Sequence, residues 1–237
     1  MKGVLMLKRS NDRKVGNSLT FAGNSRIANT FGLPAGKEMS CPGATVVCES
    51  ICYAGKLEKL RPAVRTMLVS NFDQLKAENL WGKFDLLHTM LKEFEAECEK
   101  WKAPKLFRIH WDGDFYDKEY TEAWRIAILF HPEVKFWVYT RVIFSLRILK
   151  DLPNLSLYFS GDRANLDLVE RAKAMGVKIA MLGATFEDAK SLIGEKAAKC
   201  PEQRKQIALT GACVACNICI KGDVNMTFSI SKRKGDM

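Results

Sequence analysis

Seven of the eight cysteines fall into two tight groups, one near each end of the chain. The C-terminal group is Cys200, Cys213, Cys216 and Cys219; its last three form a C-x2-C-x2-C run, and Pro201 follows Cys200. Thiols so spaced turn from one loop onto one metal centre. A close triple with a more distant Cys-Pro matches iron–sulfur loops better than zinc ribbons, which more often use two separated pairs. Four thiolates without a histidine also suit a structural zinc site, so zinc stands as the alternative metal. The N-terminal group is Cys41, Cys48 and Cys52, spaced C-x6-C-x3-C, with Tyr53 directly after the last. Three thiolates on a four-iron cluster leave one iron open to a chelating small molecule. The seven residues therefore allow a single 4Fe-4S cluster with spare thiols, or two clusters, one catalytic and one auxiliary. Cys98 lies in an apolar helical stripe and reads as a small core residue.

These groups sit in a chain of 237 residues, 47% hydrophobic and 27% charged, the composition of one ordinary globular domain. Residues 1–60 read as N-terminal strands and the first cysteine loop, 61–190 as a βα core, and 191–237 as the C-terminal cysteine segment. No apolar run reaches the length of a membrane span, and MKGVLMLKRSNDRK lacks the apolar core of a signal peptide. The expectation is a cytoplasmic protein with no membrane partner, where thiols stay reduced and clustered cysteines favour metal over disulfides. The net charge of +10 attracts polyanions, nucleic acid among them, although the basic residues are scattered apart from LKRSNDRK and SKRKGD.

The elements that must position the cysteines follow from periodicity. SLTFAG and RIANTFGL predict a strand or two feeding the first loop. Arg61-Pro62 opens a helical region, and Trp81, Phe84, Leu87, Leu91, Phe94, Cys98 and Trp101 make one apolar face. KLFRIHW (105–111), VKFWVYT (134–140), LSLYFS (155–160) and VKIAML (177–182) predict strands. Helices Lys118–Phe130, Val142–Lys150 and Leu166–Met175 lie between them. This alternation predicts a parallel sheet of βα units, open or curled into a barrel. Ligands bind such sheets at the C-terminal strand ends, which here carry Asp112, Asp114, Arg141, Asp162 and Arg163. Arg108 and His110, two apart, are expected on one face as the wall of a lumen or site. His88 is expected at the surface or its boundary, and His131-Pro132 at a helix-ending turn. There is no glycine-rich phosphate loop, histidine–carboxylate zinc motif or serine triad, which argues against ordinary kinases and hydrolases.

GNSRI (23–27), CPGATVVCESICYAG (41–55), FRIHWDGDFY (107–116), HPEVKFWVYTR (131–141), PNLSLYFSGD (153–162), CPEQ and CVACNIC resemble the phage gene-product-eighty-eight family, over about residues 16 to 220. That resemblance implies a phage or prophage origin, a role in the cytoplasm of an infected bacterium, and cysteines that act together. The CYA loop and the GDF strand end also resemble, remotely, radical S-adenosylmethionine barrels, whose usual spacing is C-x3-C-x2-C. This second resemblance implies a partial, TIM-like barrel. It implies a 4Fe-4S cluster on Cys41, Cys48 and Cys52, with Tyr53 beside a bound S-adenosylmethionine. Asp112, Asp114, Arg141, Asp162 and Arg163 would hold the cofactor or a nucleotide or nucleic-acid-linked substrate. The competing expectation is a non-catalytic protein that binds nucleic acid or a host protein, with one structural iron–sulfur or zinc site.

Overall fold

The computed structural model describes residues 6–15 and 27–230. Most of the SLTFAG and GNSRI segments, and the basic run SKRKGD, lie outside the described residues. Helices α1 (Val46–Ile51) and α2 (Tyr53–Leu60) form around the first cysteine loop, and α3 (Pro62–Ala77) and α4 (Leu80–Trp101) lead to the sheet. Then β1 (Leu106–Ile109), α5 (Lys118–Phe130), β2 (Lys135–Thr140), α6 (Ile143–Leu149), β3 (Leu155–Gly161), α7 (Leu166–Ala174), β4 (Lys178–Gly183) and α8 (Phe186–Ile193) alternate. The C-terminal part adds β5 (Ala197–Lys199), α9 (Ala212–Cys216), α10 (Ile218–Lys221) and β6 (Asn225–Ser229).

Local chemistry sets the helix starts. Pro62 occupies the first turn of α3, where its missing N–H costs nothing. Asn79 accepts from Gly82 N at 3.0 Å to cap α4, and Asp117 accepts from Tyr120 N at 2.7 Å to cap α5. Five of the seven stripe residues on α4 (Phe84, Leu87, Leu91, Phe94 and Cys98) are buried. Trp81 and Trp101, at the two ends, are exposed, because the helix overruns the core it packs on.

The six strands are all parallel, in the order β1-β2-β3-β4-β6-β5. The helices connecting β1 to β4, α5, α6 and α7, pack on one face. On that face Phe107, Ile109, Phe136 and Val138 pack with Leu91, Phe94 and Trp124 of α4 and α5. Phe159, Ile179 and Met181 pack there on α6, α7 and α8. The opposite face is covered by the C-terminal cysteine segment: Trp137 meets Val15 and Ile220, and Tyr158 and Ala180 meet Met226, Ile218 and Cys219. The sheet is therefore wound on one side only. It is open: among the described residues β1 and β5 lie at opposite edges and do not pair to close a barrel.

Residues 29–33 continue the sheet past β1. Thr30 bridges Arg108 in parallel; Arg108 N donates to Asn29 O at 3.1 Å, Phe31 N to Arg108 O at 3.2 Å and Trp111 N to Phe31 O at 2.9 Å. An extended segment thus runs beside β1 directly ahead of the first cysteine loop, and both emerge at the same edge.

The expectation that Arg108 and His110 share a face is corrected. β1 ends at Ile109, and His110 takes a φ of 58°, which breaks the alternation. Arg108 faces the cysteine segment. His110 turns instead into the helix-side core among Phe31, Phe115, Tyr120 and Trp124 and pairs with Tyr120 Oη at 2.8 Å. Burial alone pushes its pKa down to about 3, so it is neutral.

Candidate metal centres and their strand-end surroundings

The first cysteine loop lies across the C-terminal ends of β1, β2 and β3. Gly36, with φ of 116°, starts a turn in which Cys41 N donates to Gly36 O at 3.0 Å. Thr45 caps α1 by accepting from Cys48 N at 3.0 Å, and Cys52 caps α2, its Sγ accepting from Gly55 N at 3.3 Å. These caps fix two thiols at consecutive helix starts. Gly43 is required where the loop meets β2: a Cβ there would lie 2.6 Å from Arg141 O.

The predicted strand-end residues converge under this loop, and most are engaged in holding it. Arg141 Nη1 donates to Asp162 Oδ2 at 2.6 Å, and Thr45 Oγ1 donates to the same oxygen at 2.6 Å. Asp162 Oδ1 accepts from Ala164 N. Asp114 accepts from Thr140 Oγ1 at 2.6 Å and from Arg141 N and Phe115 N at 2.8 Å. Burial raises the pKa of Asp114, and these donors with Arg141 oppose the rise. Arg163 is placed elsewhere: it is exposed and pairs with Asp188 at the start of α8.

Cys41 and Cys48 share Asp114 as an electrostatic neighbour, and Cys48 also feels Arg141, Cys52 and Asp162. Burial, and then Asp114, pushes the Cys41 thiol up to about 12. Burial likewise raises Cys48, while Arg141 works against it. Asp112 faces Glu58 of α2, and both carboxyls are buried. Glu58 accepts from Ala35 N at 2.8 Å and Arg65 Nη1 at 2.9 Å; Asp112 Oδ1 accepts from Gly113 N, and its Oδ2 receives no donor. Burial, then the charge of Glu58, pushes Asp112 well above the usual carboxylate range.

The second group sits on the face of the sheet opposite α4 to α8, within and around the short helices α9 and α10. Gly211 N and Cys213 N donate to Arg13 O and Lys14 O, each at 2.8 Å, so the turn at residues 12–15 anchors α9. Asn217, with φ of 56°, turns the chain between α9 and α10, and Cys200 N donates to Thr227 O of β6. These anchors bring Cys200, Cys213 and Cys216 within electrostatic reach of Cys219. Burial pushes Cys213 up to about 12 and Cys219 to about 11, and raises Cys200.

Donors surround this second group. The Tyr139 hydroxyl lies against Cys219. Arg108, held by Asp12 Oδ2 at 2.9 Å and stacked 5.8 Å over the Tyr139 ring, faces Cys213 and leaves its buried Nε–H without a partner. Lys14 pairs with Glu202 at 2.8 Å and lies near Cys213. Tyr53 connects the two groups: its hydroxyl donates to Trp111 O at 2.9 Å, and it lies in the field of both Arg108 and Lys14.

A tetrahedral zinc ion with Zn–S bonds of about 2.3 Å needs its sulfurs crowded around one point. Among the described residues no three cysteine, histidine or carboxylate side chains are gathered to hold one ion. The unpaired Arg108 Nε–H and the Tyr139 hydroxyl are donors that thiolates at this place would accept from.

Sequence reasoning missed Glu58, Thr45 and Tyr139. Thr45 carries a readable signal, a hydroxyl residue directly ahead of a helix. Glu58 and Tyr139 carry none, since their roles depend on which elements pack together.

The arrangement defines an α/β protein with a parallel sheet wound on one side, one thiol group at its strand ends and another on its open face. The chain belongs to the Gene product 88 family, whose model matches residues 5–222. It is 45% identical over 237 residues to the Gene 88 protein of Mycobacterium phage L5, covering 96% of this chain and 99% of that protein. It is 44% identical over 238 residues to the Gene 88 protein of Mycobacterium phage D29, with the same coverage. No solved structure matches the chain. No helix among the described residues is long and apolar enough to cross a membrane.

Proposed function

We propose that this protein carries two cysteine-ligated iron–sulfur centres: a closed one on Cys200, Cys213, Cys216 and Cys219, and an open one on Cys41, Cys48 and Cys52. What supports this reading is that Cys200, Cys213 and Cys216 each lie within electrostatic reach of Cys219, beside Arg108 and Tyr139 as donors. The open centre lies at the C-terminal edge of a parallel sheet, the end at which such sheets bind ligands. One-sided winding, and an extended segment ahead of the loop, support an incomplete barrel as the scaffold.

When bound, a reduced cluster with an open iron and S-adenosylmethionine would supply radical chemistry, and the chain's own residues would set its surroundings. Arg141 holds a positive charge beside Cys48. Tyr53, 61% exposed, flanks Cys52, where it would cover a small molecule. Asp112, its pKa raised by burial, lies near Cys41. The excess positive charge favours a nucleotide or nucleic-acid-linked substrate in the cytoplasm of an infected bacterium.

Purification without oxygen tests the proposal. The expected product is brown, contains iron and acid-labile sulfide, and binds S-adenosylmethionine in equilibrium dialysis only while Cys41, Cys48 and Cys52 are intact. A colourless protein holding zinc would replace it with a structural metal site in a binding protein.

A further inference from the structure

At the edge of the sheet opposite the first cysteine loop, a cavity of about 360 Å³ opens where β2, β3 and β4 begin. Lys135 is the first residue of β2, Lys178 the first of β4, Lys150 ends α6 and Lys221 ends α10. All four line this one cavity, against a single carboxylate, Asp151. They come from both layers of the protein: Lys150 from the helix side and Lys221 from the cysteine side. Gly222, with φ of 76°, makes this possible. Its turn brings α10 so close to β3 that a Cβ there would lie 2.7 Å from Ser156 Oγ.

Among the described residues other lysines, Lys59 and Lys118 among them, also lack an ion pair; what sets these four apart is their convergence on one cavity. Lys14, Lys83, Lys105, Lys173 and Lys199 each hold a carboxylate within 3.0 Å. Among the described residues Lys135, Lys178 and Lys221 have no ion-pair partner, and Lys150 meets Asp151 only at 3.9 Å between two exposed side chains. Such an exposed pair is worth little. Like charges gathered without counter-charge raise the local potential and are relieved by an anionic ligand.

We infer that this groove binds the phosphate backbone of nucleic acid without reading its sequence. Lysine offers a compact point charge, suited to phosphate and not to the bidentate recognition of a base edge. The apolar part of the lining, including Leu155, Leu157 and Met175, is aliphatic, so bases find no aromatic platform to stack on. The groove gives the protein's polyanion affinity an address. It stands whether or not the cysteines hold iron, because its lysines lie at the other end of the strands.

The test is fluorescence anisotropy of a labelled duplex oligonucleotide across a salt series, with single-stranded DNA and inorganic polyphosphate as further arms. Three to four phosphate contacts predict a log–log salt slope of about −3, roughly a 60-fold loss of affinity between 50 and 200 mM salt. The variant Lys135→Gln/Lys178→Gln/Lys221→Gln should lose most of that slope while keeping its thermal melt and iron content. A Lys199→Gln control, remote from the groove, should bind like the parent. Duplex binding unchanged in the triple variant, or binding confined to inorganic polyphosphate, would overturn the inference.

Discussion

Arg141 and Asp162, at the ends of neighbouring strands β2 and β3, form a buried ion pair at 2.6 Å whose carboxylate also receives the hydroxyl of Thr45. The loop carrying Cys41 and Cys48 is thereby fastened to the sheet through a charge. Removing one partner of such a pair strands the other in a site that cannot solvate it. Asp162→Ala should cost about 3–5 kcal/mol in urea unfolding. Alkylation of Cys48 in the metal-free protein should quicken at the same time, because Thr45 loses its anchor. The paired replacement Arg141→Met/Asp162→Leu should regain much of the stability. An Asp162→Ala variant as stable as the parent would show that the pair does not fasten the loop.

Gly43 has no space for a side chain beside the Arg141 carbonyl. Gly43→Ala should therefore displace the loop at a cost of about 1–3 kcal/mol. Iron should fall at the N-terminal group only, with the C-terminal group keeping its share. Undiminished iron in this variant would mean that the close approach of loop and strand does not matter to the centre.

His110 links stability to pH. Its folded pKa lies near 3, below the ordinary histidine value of 6.5, because burial excludes the charged form. The unfolded chain therefore binds a proton that the folded protein refuses as pH falls from 6.5 towards 3. Stability from this group is fully present above 6.5 and is lost across that window, by about 1.4 kcal/mol per pH unit. Asparagine tolerates the positive φ at this position, so His110→Asn should fold and show a shallower acid limb in urea midpoints taken from pH 7 to 4. Parallel acid limbs in the two proteins would refute the assignment.

Cys98 provides the contrast. It is buried in the main core, and among the described residues its thiol makes one weak polar contact, to Pro104 O at 3.9 Å. Cys98→Ala should lower stability by about 1 kcal/mol and leave iron and sulfide unchanged. Loss of iron on this change would place an eighth thiol in the metal chemistry.

Much of the core was legible because its signals are local. α5 spans Lys118–Phe130 as its periodicity predicts, with Asp117 ready as a cap, and β1 to β4 fall within one or two residues of their apolar runs. β6, from Asn225 to Ser229, was not legible. It has no β-branched run and becomes a strand only through its pairing with β4 and β5. The strand-end positions of Asp112, Asp114, Arg141 and Asp162 were readable from the general rule for parallel sheets. Their partners were not, since Glu58 and Thr45 reach them through tertiary packing. Arg163 shows the limit of that rule: it follows the same strand end as Asp162, yet its side chain pairs outward with Asp188. Lys135, Lys150, Lys178 and Lys221 looked scattered along the chain because only the winding of the sheet brings them to one groove.

The central claim, that the thiols of the two groups hold separate iron–sulfur centres, is tested most directly by counting iron group by group. Protein purified without oxygen should hold about eight irons per chain as two four-iron clusters. Replacing Cys41, Cys48 and Cys52 by alanine should leave about four, and replacing Cys213, Cys216 and Cys219 should also leave about four. A parent protein with neither iron nor sulfide, or one that loses all its iron with either triple replacement, would contradict the account.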